Sequence, residues 1–215
     1  MKKFLQYLLI LPLLWACNDN DDLNIVVNEN AVKMNSTEEH MIETSTDKEV
    51  LFSSEDSYIA TVDQRGVVKA SKVGKTFIKI TSGGKTQKVK ITVEPKFWLY
   101  ETPILDFGIT MKTLEQRIGA SETKSETVFV HKSSTSKNTG PYYYRFPSGL
   151  LKSVDLNVIA SRADEVDGFL EERYQIQTEN PRTYINGQNT SVATVYISSN
   201  KTQQGEVNVV YTSLR

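Results

Sequence analysis

VLFSSEDSYIATVDQRGVVKASKVGKTFIKITSGGKTQKVKITV, residues 50–93, is the stretch from which the fold of this chain is read. Apolar and polar residues alternate there with the two-residue period of a half-buried strand. The pattern is plainest where Val89, Ile91 and Val93 share one face, and in the preceding strand Phe77 sits between Thr76 and Ile78. Gly83-Gly84 separates these two strands, and paired glycines accept the positive φ that a two-residue hairpin loop needs. Gln64-Arg65-Gly66 is a second turn, ending on glycine. Working outward, the same punctuation predicts short strands at Leu23–Val27, Ala31–Met34, His40–Thr44, Val50–Ser53, Tyr58–Val62, Val67–Ser71, Lys75–Thr81 and Gln87–Val93. Short strands at regular spacing with turn signals between them predict a β-sandwich.

Within this stretch, Phe52-Ser53-Ser54, Ile59-Ala60-Thr61-Val62-Asp63, Gly66-Val67-Val68-Lys69-Ala70, Gly74 and Ile78 together resemble the bacterial Ig-like group 2 domain. The resemblance spans about residues 23–94, within a domain expected over residues 23–95, and implies an Ig-like fold. Phe52, standing where that family usually has tryptophan, is then a core aromatic, and Gly66 a turn residue at positive φ. The family occurs in surface adhesins, so the resemblance implies a spacer or ligand-presenting role.

Residues 96–215 read differently. Pro95 and the aromatic cluster Phe97, Trp98 and Tyr100 mark the crossing between domains. Thr110 is a candidate N-cap for a helix carrying Met111, Leu114 and Ile118 on one face, with Gly119 at its C-terminal end. Strands are expected at Thr127–His131, Tyr142–Phe146 and Leu150–Ile159. A second helix follows, with Ser161 as N-cap, Ala163, Val166, Leu170 and Tyr174 along its inner face, and Glu165, Glu171, Glu172 and Arg173 toward solvent. Further strands are expected at Arg182–Ile185, Ser191–Ile197 and Glu206–Thr212. The expected chain is therefore mostly β, an Ig-like sandwich followed by an α+β domain of order αβββαβββ. Gly108-Ile109-Thr110, Gly119 and the Tyr144–Leu151 hairpin resemble the repeat of β-lactamase-inhibitor-like proteins and small outer-membrane assembly lipoproteins.

The N-terminus supplies an expected address. Lys2 and Lys3 precede the short apolar run Phe4–Ala16, and Leu14-Trp15-Ala16-Cys17 has the form of a lipobox. A run this short suits a signal peptide (residues 1–16) rather than a span, which needs about 20 apolar residues. Cys17, the only cysteine, is then the lipidated first residue of the mature chain, and residues 17–22 an acidic tether. Asp19, Asp21 and Asp22 resemble the export signal of Bacteroidetes surface lipoproteins, so the expected localisation is the outer membrane, lipid-anchored and facing the exterior or the periplasm. A lone cysteine leaves no intramolecular disulfide to form.

The net charge is −1, and without Lys2 and Lys3, 23 basic residues face 26 acidic ones, a balance of −3. That balance lacks the basic footprint of a nucleic-acid binder. His40 and His131, the two histidines, lie far apart in sequence, and neither has a partner at metal-ligand spacing. No nucleophile elbow or phosphate-cradling loop is present, so neither catalytic residues, metal nor cofactor is expected. Binding is better supported. In the strand Tyr142-Tyr143-Tyr144-Arg145-Phe146, period-two geometry turns Tyr143 and Arg145 away from the face that Tyr142, Tyr144 and Phe146 share. Tyr143, Arg145, Trp98 and Tyr100 are the candidate binding residues, and a glycan or another envelope protein the candidate partner. Two other roles remain open: plugging the cleft of an extracellular enzyme, as the inhibitor resemblance implies, and a structural part in outer-membrane assembly.

Overall fold

A computed structural model describes residues 25–46, 48–132 and 137–214. The expected signal, Cys17 and the acidic tether lie outside the described residues. Within them, no helix is long and apolar enough to cross a membrane.

Among the described residues, nine strands form the N-terminal part. β2 (Ala31–Asn35), β9 (Lys85–Glu94), β8 (Gly74–Ser82) and β5 (Leu51–Ser54) make one sheet in that order, with β2 and β9 parallel. β3 (Glu39–Met41), β7 (Val67–Ala70) and β6 (Ala60–Val62) make the second, and β1 (Val26–Val27) pairs with β4 (Thr44–Ser45). Alternation works as expected. Val89, Ile91 and Val93 enter a core with Ile78, Ile80, Val68 and Phe52, while Phe77 points outward under the Lys88 ammonium. Gly66 adopts φ +86°, and a Cβ there would stand 2.7 Å from the Ile42 carbonyl oxygen and 3.0 Å from the Phe52 ring. The glycine lets the turn close over the core aromatic.

A second core gathers residues from Leu99 to Tyr211. Its sheet has eight antiparallel strands in the order β10-β11-β12-β13-β17-β16-β15-β14. The first half is β10 (Thr123–Lys124), β11 (Val128–His131), β12 (Tyr142–Arg145) and β13 (Ser153–Val158). The second is β14 (Gln175–Glu179), β15 (Arg182–Ile185), β16 (Val195–Lys201) and β17 (Val207–Ser213). Each half begins with a helix, α1 (Met111–Ile118) or α2 (Val166–Glu171). The starts of matching elements differ by 52 to 55 residues throughout, from Met111 against Val166 to Ser153 against Val207. The halves meet where β13 pairs with β17, so the sheet has the pattern of a two-fold repeat.

Each half thus has four strands where three are expected. The additions, β10 and β14, are the two edges of the sheet. One is two residues long and the other is Gln-Ile-Gln-Thr-Glu, mostly exposed. Short or polar edges resist pairing with other chains, and for the same reason they lack the apolar alternation that reveals a strand.

α1 is as expected: the Thr110 hydroxyl accepts from the Thr113 N–H at 3.2 Å, and Gly119 sits at φ +87°. α2 is not. A 3-10 turn over Ala160–Glu165 precedes it, Ile159 stands at the turn's start, and no side chain caps it, so Ser161 is not an N-cap. Between the domains, residues 97–109 form a strap without regular structure that packs on the helical face of the sheet through Leu99, Tyr100, Ile104, Leu105, Phe107 and Ile109. Tyrosines of β12 hold it: Tyr142 donates to the Glu101 carbonyl at 3.0 Å, and the Tyr144 hydroxyl accepts from Ile104 N–H at 3.4 Å.

Candidate functional site

The end of α2 is where the two domains meet. A helix leaves its last carbonyls without partners inside the helix. Here the Ig-like part supplies them. Lys72 Nζ donates to the Glu171 carbonyl at 2.6 Å, Val73 N–H to the Glu172 carbonyl at 2.7 Å, and Tyr58 OH to the Arg173 carbonyl at 3.0 Å. Burial lowers the Lys72 pKa, with Glu171 opposing the shift.

Glu172 corrects the expected solvent-facing helix side, being only 5% exposed. Its carboxylate accepts from the backbone N–H groups of Lys96 at 2.9 Å and Phe97 at 3.1 Å. Arg173 Nη1 lies 2.5 Å from the same carboxylate. Arg173 is also largely buried: it donates to the carbonyls of Phe169 and Phe97, and its guanidinium stacks 3.8 Å over the Phe169 ring. Gly168 admits the linker, because a Cβ there would stand 2.6 Å from the Phe97 ring. No local pattern could have found this clasp, since Glu172 meets partners 75 and 76 residues away.

The strap leaves the clasp and passes at once through Trp98 and Tyr100. The structure separates these two. Tyr100 is half-buried, its ring 4.4 Å from that of Phe169 and its hydroxyl 2.8 Å from that of Tyr211. Burial pushes the hydroxyls of both tyrosines far above the usual range. Trp98 is 72% exposed, more than any other large apolar side chain among the described residues. Its backbone is nevertheless held, because Asn138 Nδ2 donates to the carbonyls of Trp98 at 3.4 Å and Leu99 at 2.9 Å. An open cleft of about 360 Å³ lies beside it, lined by Trp98, Tyr100, Glu101, Thr102, Asn138 and Arg173.

Tyr143 and Arg145 are elsewhere. Along β12, Tyr142 and Tyr144 are buried and Tyr143 and Arg145 are not, as strand geometry requires. The register places Tyr143 beside Asp155, Asp155 beside Val210, and Val210 beside Ser198, a row across the face opposite the helices. Arg145 forms a two-point ion pair with Asp155, Nε–Oδ1 at 2.5 Å and Nη2–Oδ2 at 3.0 Å. Asn208 Nδ2 donates to Asn157 Oδ1 at 2.8 Å farther along the same face. The four candidate residues therefore divide between two surfaces on opposite sides of one sheet.

Among the described residues, no three His, Cys, Asp or Glu side chains are grouped to hold a metal ion. His40 is engaged with Glu29 at 2.5 Å in the N-terminal domain.

The chain was compared with known proteins. No curated protein matches it. It is similar to the crystal structure of an intimin mutant from EHEC O157:H7, at 19% identity over 57% of this chain and 79% of that one, with a TM-score of 0.27. Domains 5–6 of the S-layer protein SbsC match at 17% identity over 88% of this chain and 83% of that one, with a TM-score of 0.28. Domains 4–9 of the same protein match at 17% identity over 89% of this chain and 27% of that one, with a TM-score of 0.29. Such scores leave these likenesses without weight for function. The family comparison is firmer: residues 24–93 match the model of the bacterial Ig-like domain (group 2), over the span that forms the two facing sheets. Residues 24–93 of this chain are a bacterial Ig-like domain of group 2.

Proposed function

We propose that this chain is a non-catalytic lipoprotein of the outer membrane, anchored through Cys17, in which the Ig-like domain is a rigid spacer and the α+β domain the binding module. The observation that supports the spacer-and-module part of this reading is the clasp. Lys72, Val73 and Tyr58 of the spacer, with Glu172 and Arg173 of the second domain, fix the joint on both sides of the linker. A joint made of buried charge-assisted hydrogen bonds holds the binding module at a set orientation instead of letting it swing. The partner is a glycan or a protein of the same envelope, and nucleic acid is disfavoured by the slight acidic balance.

The test is fractionation of cells expressing the wild type and Cys17→Ala. The wild type should sediment with membranes and the variant appear in the soluble fraction. A variant retained in the membrane refutes the lipid anchor. External protease acting on intact cells then reports which side of the outer membrane the domains occupy.

A second reading draws on the repeat pattern of the eight-stranded sheet, which leaves one broad face carrying Tyr143, Arg145, Asp155 and Asn157 partly exposed. Such a face suits a protein that covers the cleft of an extracellular enzyme. Loss of hydrolase activity on adding the purified chain would favour this reading.

A further inference from the structure

We propose that the cleft beside Trp98 is a saccharide subsite, with the Trp98 indole as the platform on which a neutral sugar ring stacks. The proposal rests on the reading of the α+β domain as a binding module and names its ligand class.

Trp98 is exposed in a segment whose backbone is held on every side. Phe97 N–H is bound to Glu172, the carbonyls of Trp98 and Leu99 accept from Asn138, Leu99 is buried, and the Tyr100 hydroxyl is bonded to Tyr211. A tryptophan left in water on a mobile loop would lose much of its binding energy to ordering. One presented from a fixed backbone does not. The indole is therefore presented to solvent from a fixed backbone position.

Its surroundings select the ligand. The cleft of about 360 Å³ combines aromatic walls from Trp98 and Tyr100 with polar groups from Glu101, Thr102, Asn138 and Arg173. That size and mixture fit a small ligand with an apolar face and many hydroxyls. A protein anchor would sit within a wider apolar patch, whereas Glu101, Thr102 and Asn138, which line the cleft with Trp98, are polar. An acidic sugar is disfavoured, since Arg173, the cleft's cation, is already occupied by Glu172 and two carbonyls.

The test uses the full chain in detergent and the difference in tryptophan emission between wild type and Trp98→Leu. Of the two tryptophans in the sequence, Trp15 lies in the expected signal peptide and Trp98 in the cleft, so this difference isolates the cleft indole whether or not residues 1–16 are removed. Neutral gluco-, manno-, xylo- and chito-oligosaccharides are titrated in turn. The expected result is a saturable shift to shorter wavelength with at least one of them. Competition with the same sugar labelled should show affinity lower by about tenfold or more in Trp98→Leu and partly restored in Trp98→Tyr. Because the side chain is exposed, all three proteins should unfold at similar temperatures, and that measurement accompanies each titration. No saturable response up to about 10 mM of any sugar overturns the proposal, as does undiminished binding by Trp98→Leu. So does shielding of Trp98 from a collisional quencher by an envelope protein with no sugar response. A pull-down from detergent extracts separates the two failures: an envelope protein captured without any sugar response keeps the binding module and loses the subsite, and no capture with no sugar response loses both.

Discussion

Replacing Glu172 by alanine tests the clasp, because the structure states what would be orphaned. Two backbone N–H groups, from Lys96 and Phe97, and the Arg173 guanidinium all turn toward its carboxylate. Hydrogen bonds to a charged group contribute about 1.5–3 kcal/mol each, and removing one member of a buried ion pair costs about 3–5 kcal/mol. The contributions overlap, because Arg173 keeps its bonds to the Phe169 and Phe97 carbonyls and its stacking on Phe169. A net loss of about 3–4 kcal/mol follows for Glu172→Ala. Glu172→Gln keeps one acceptor oxygen but sets an NH2 group against a remaining donor, and should lose about 2 kcal/mol. In a domain of this size each kcal/mol lowers the unfolding temperature by roughly 3–5 °C, so the alanine variant should melt about 10 °C or more below wild type.

The clasp also predicts where the damage appears. The bond after Lys96 lies beside the Glu172 hydrogen bonds, so trypsin should cut Glu172→Ala there under conditions that leave the wild type intact. Urea denaturation with limited tryptic digestion measures both effects. A variant within about 0.5 kcal/mol of wild type, the ordinary range for surface substitutions, with unchanged protection at Lys96 would refute the clasp as the source of rigidity.

Two further outcomes follow from the cores. Burial pushes the Tyr144 hydroxyl up to about 12 and raises those of Tyr142, Tyr184 and Tyr211 well above the usual range. A pKa raised in the folded state gives stability that is complete below about pH 10, the unfolded value, and is lost as pH rises through the folded one. For Tyr144 the loss is about 1.4 kcal/mol at pH 11, and with several tyrosines acting together the α+β domain should unfold cooperatively under alkali before the Ig-like domain. Near-ultraviolet circular dichroism against pH checks this, and a transition absent through pH 12 contradicts it. In the Ig-like domain, Gly66→Ala must hold alanine at φ +86° while its Cβ meets the Ile42 carbonyl, so it should cost about 2 kcal/mol or more by denaturant titration. Wild-type stability in that variant would mean the turn relaxes freely.

Much of the fold was legible because its signals are local. The Ig-like strands show in the alternation of residues such as Val89, Ile91 and Val93, and their turns in Gly66 and Gly83-Gly84, both of which take positive φ. Helix α1 shows in its cap residues Thr110 and Gly119, and strand β12 in the two-way division of its tyrosines. Elements whose stability comes from elsewhere were hidden. The edge strands β10 and β14 bury little, and residues 97–109 have no period of their own and hold to the sheet through scattered side chains.

The candidate site divides in the same way. Sequence alone was sufficient to turn Tyr143 and Arg145 off the core face, since strand geometry needs nothing beyond its own two-residue period. Tyr100 and Trp98 are two residues apart in an irregular strap, where no period applies. Only the packed structure sent one against Phe169 and Tyr211 and left the other in water. Glu172 and Arg173 read as a solvated helix end until the linker lies over them. Burial of a charge is decided by what packs upon it, and here the partners come from a linker about 75 residues earlier in the chain.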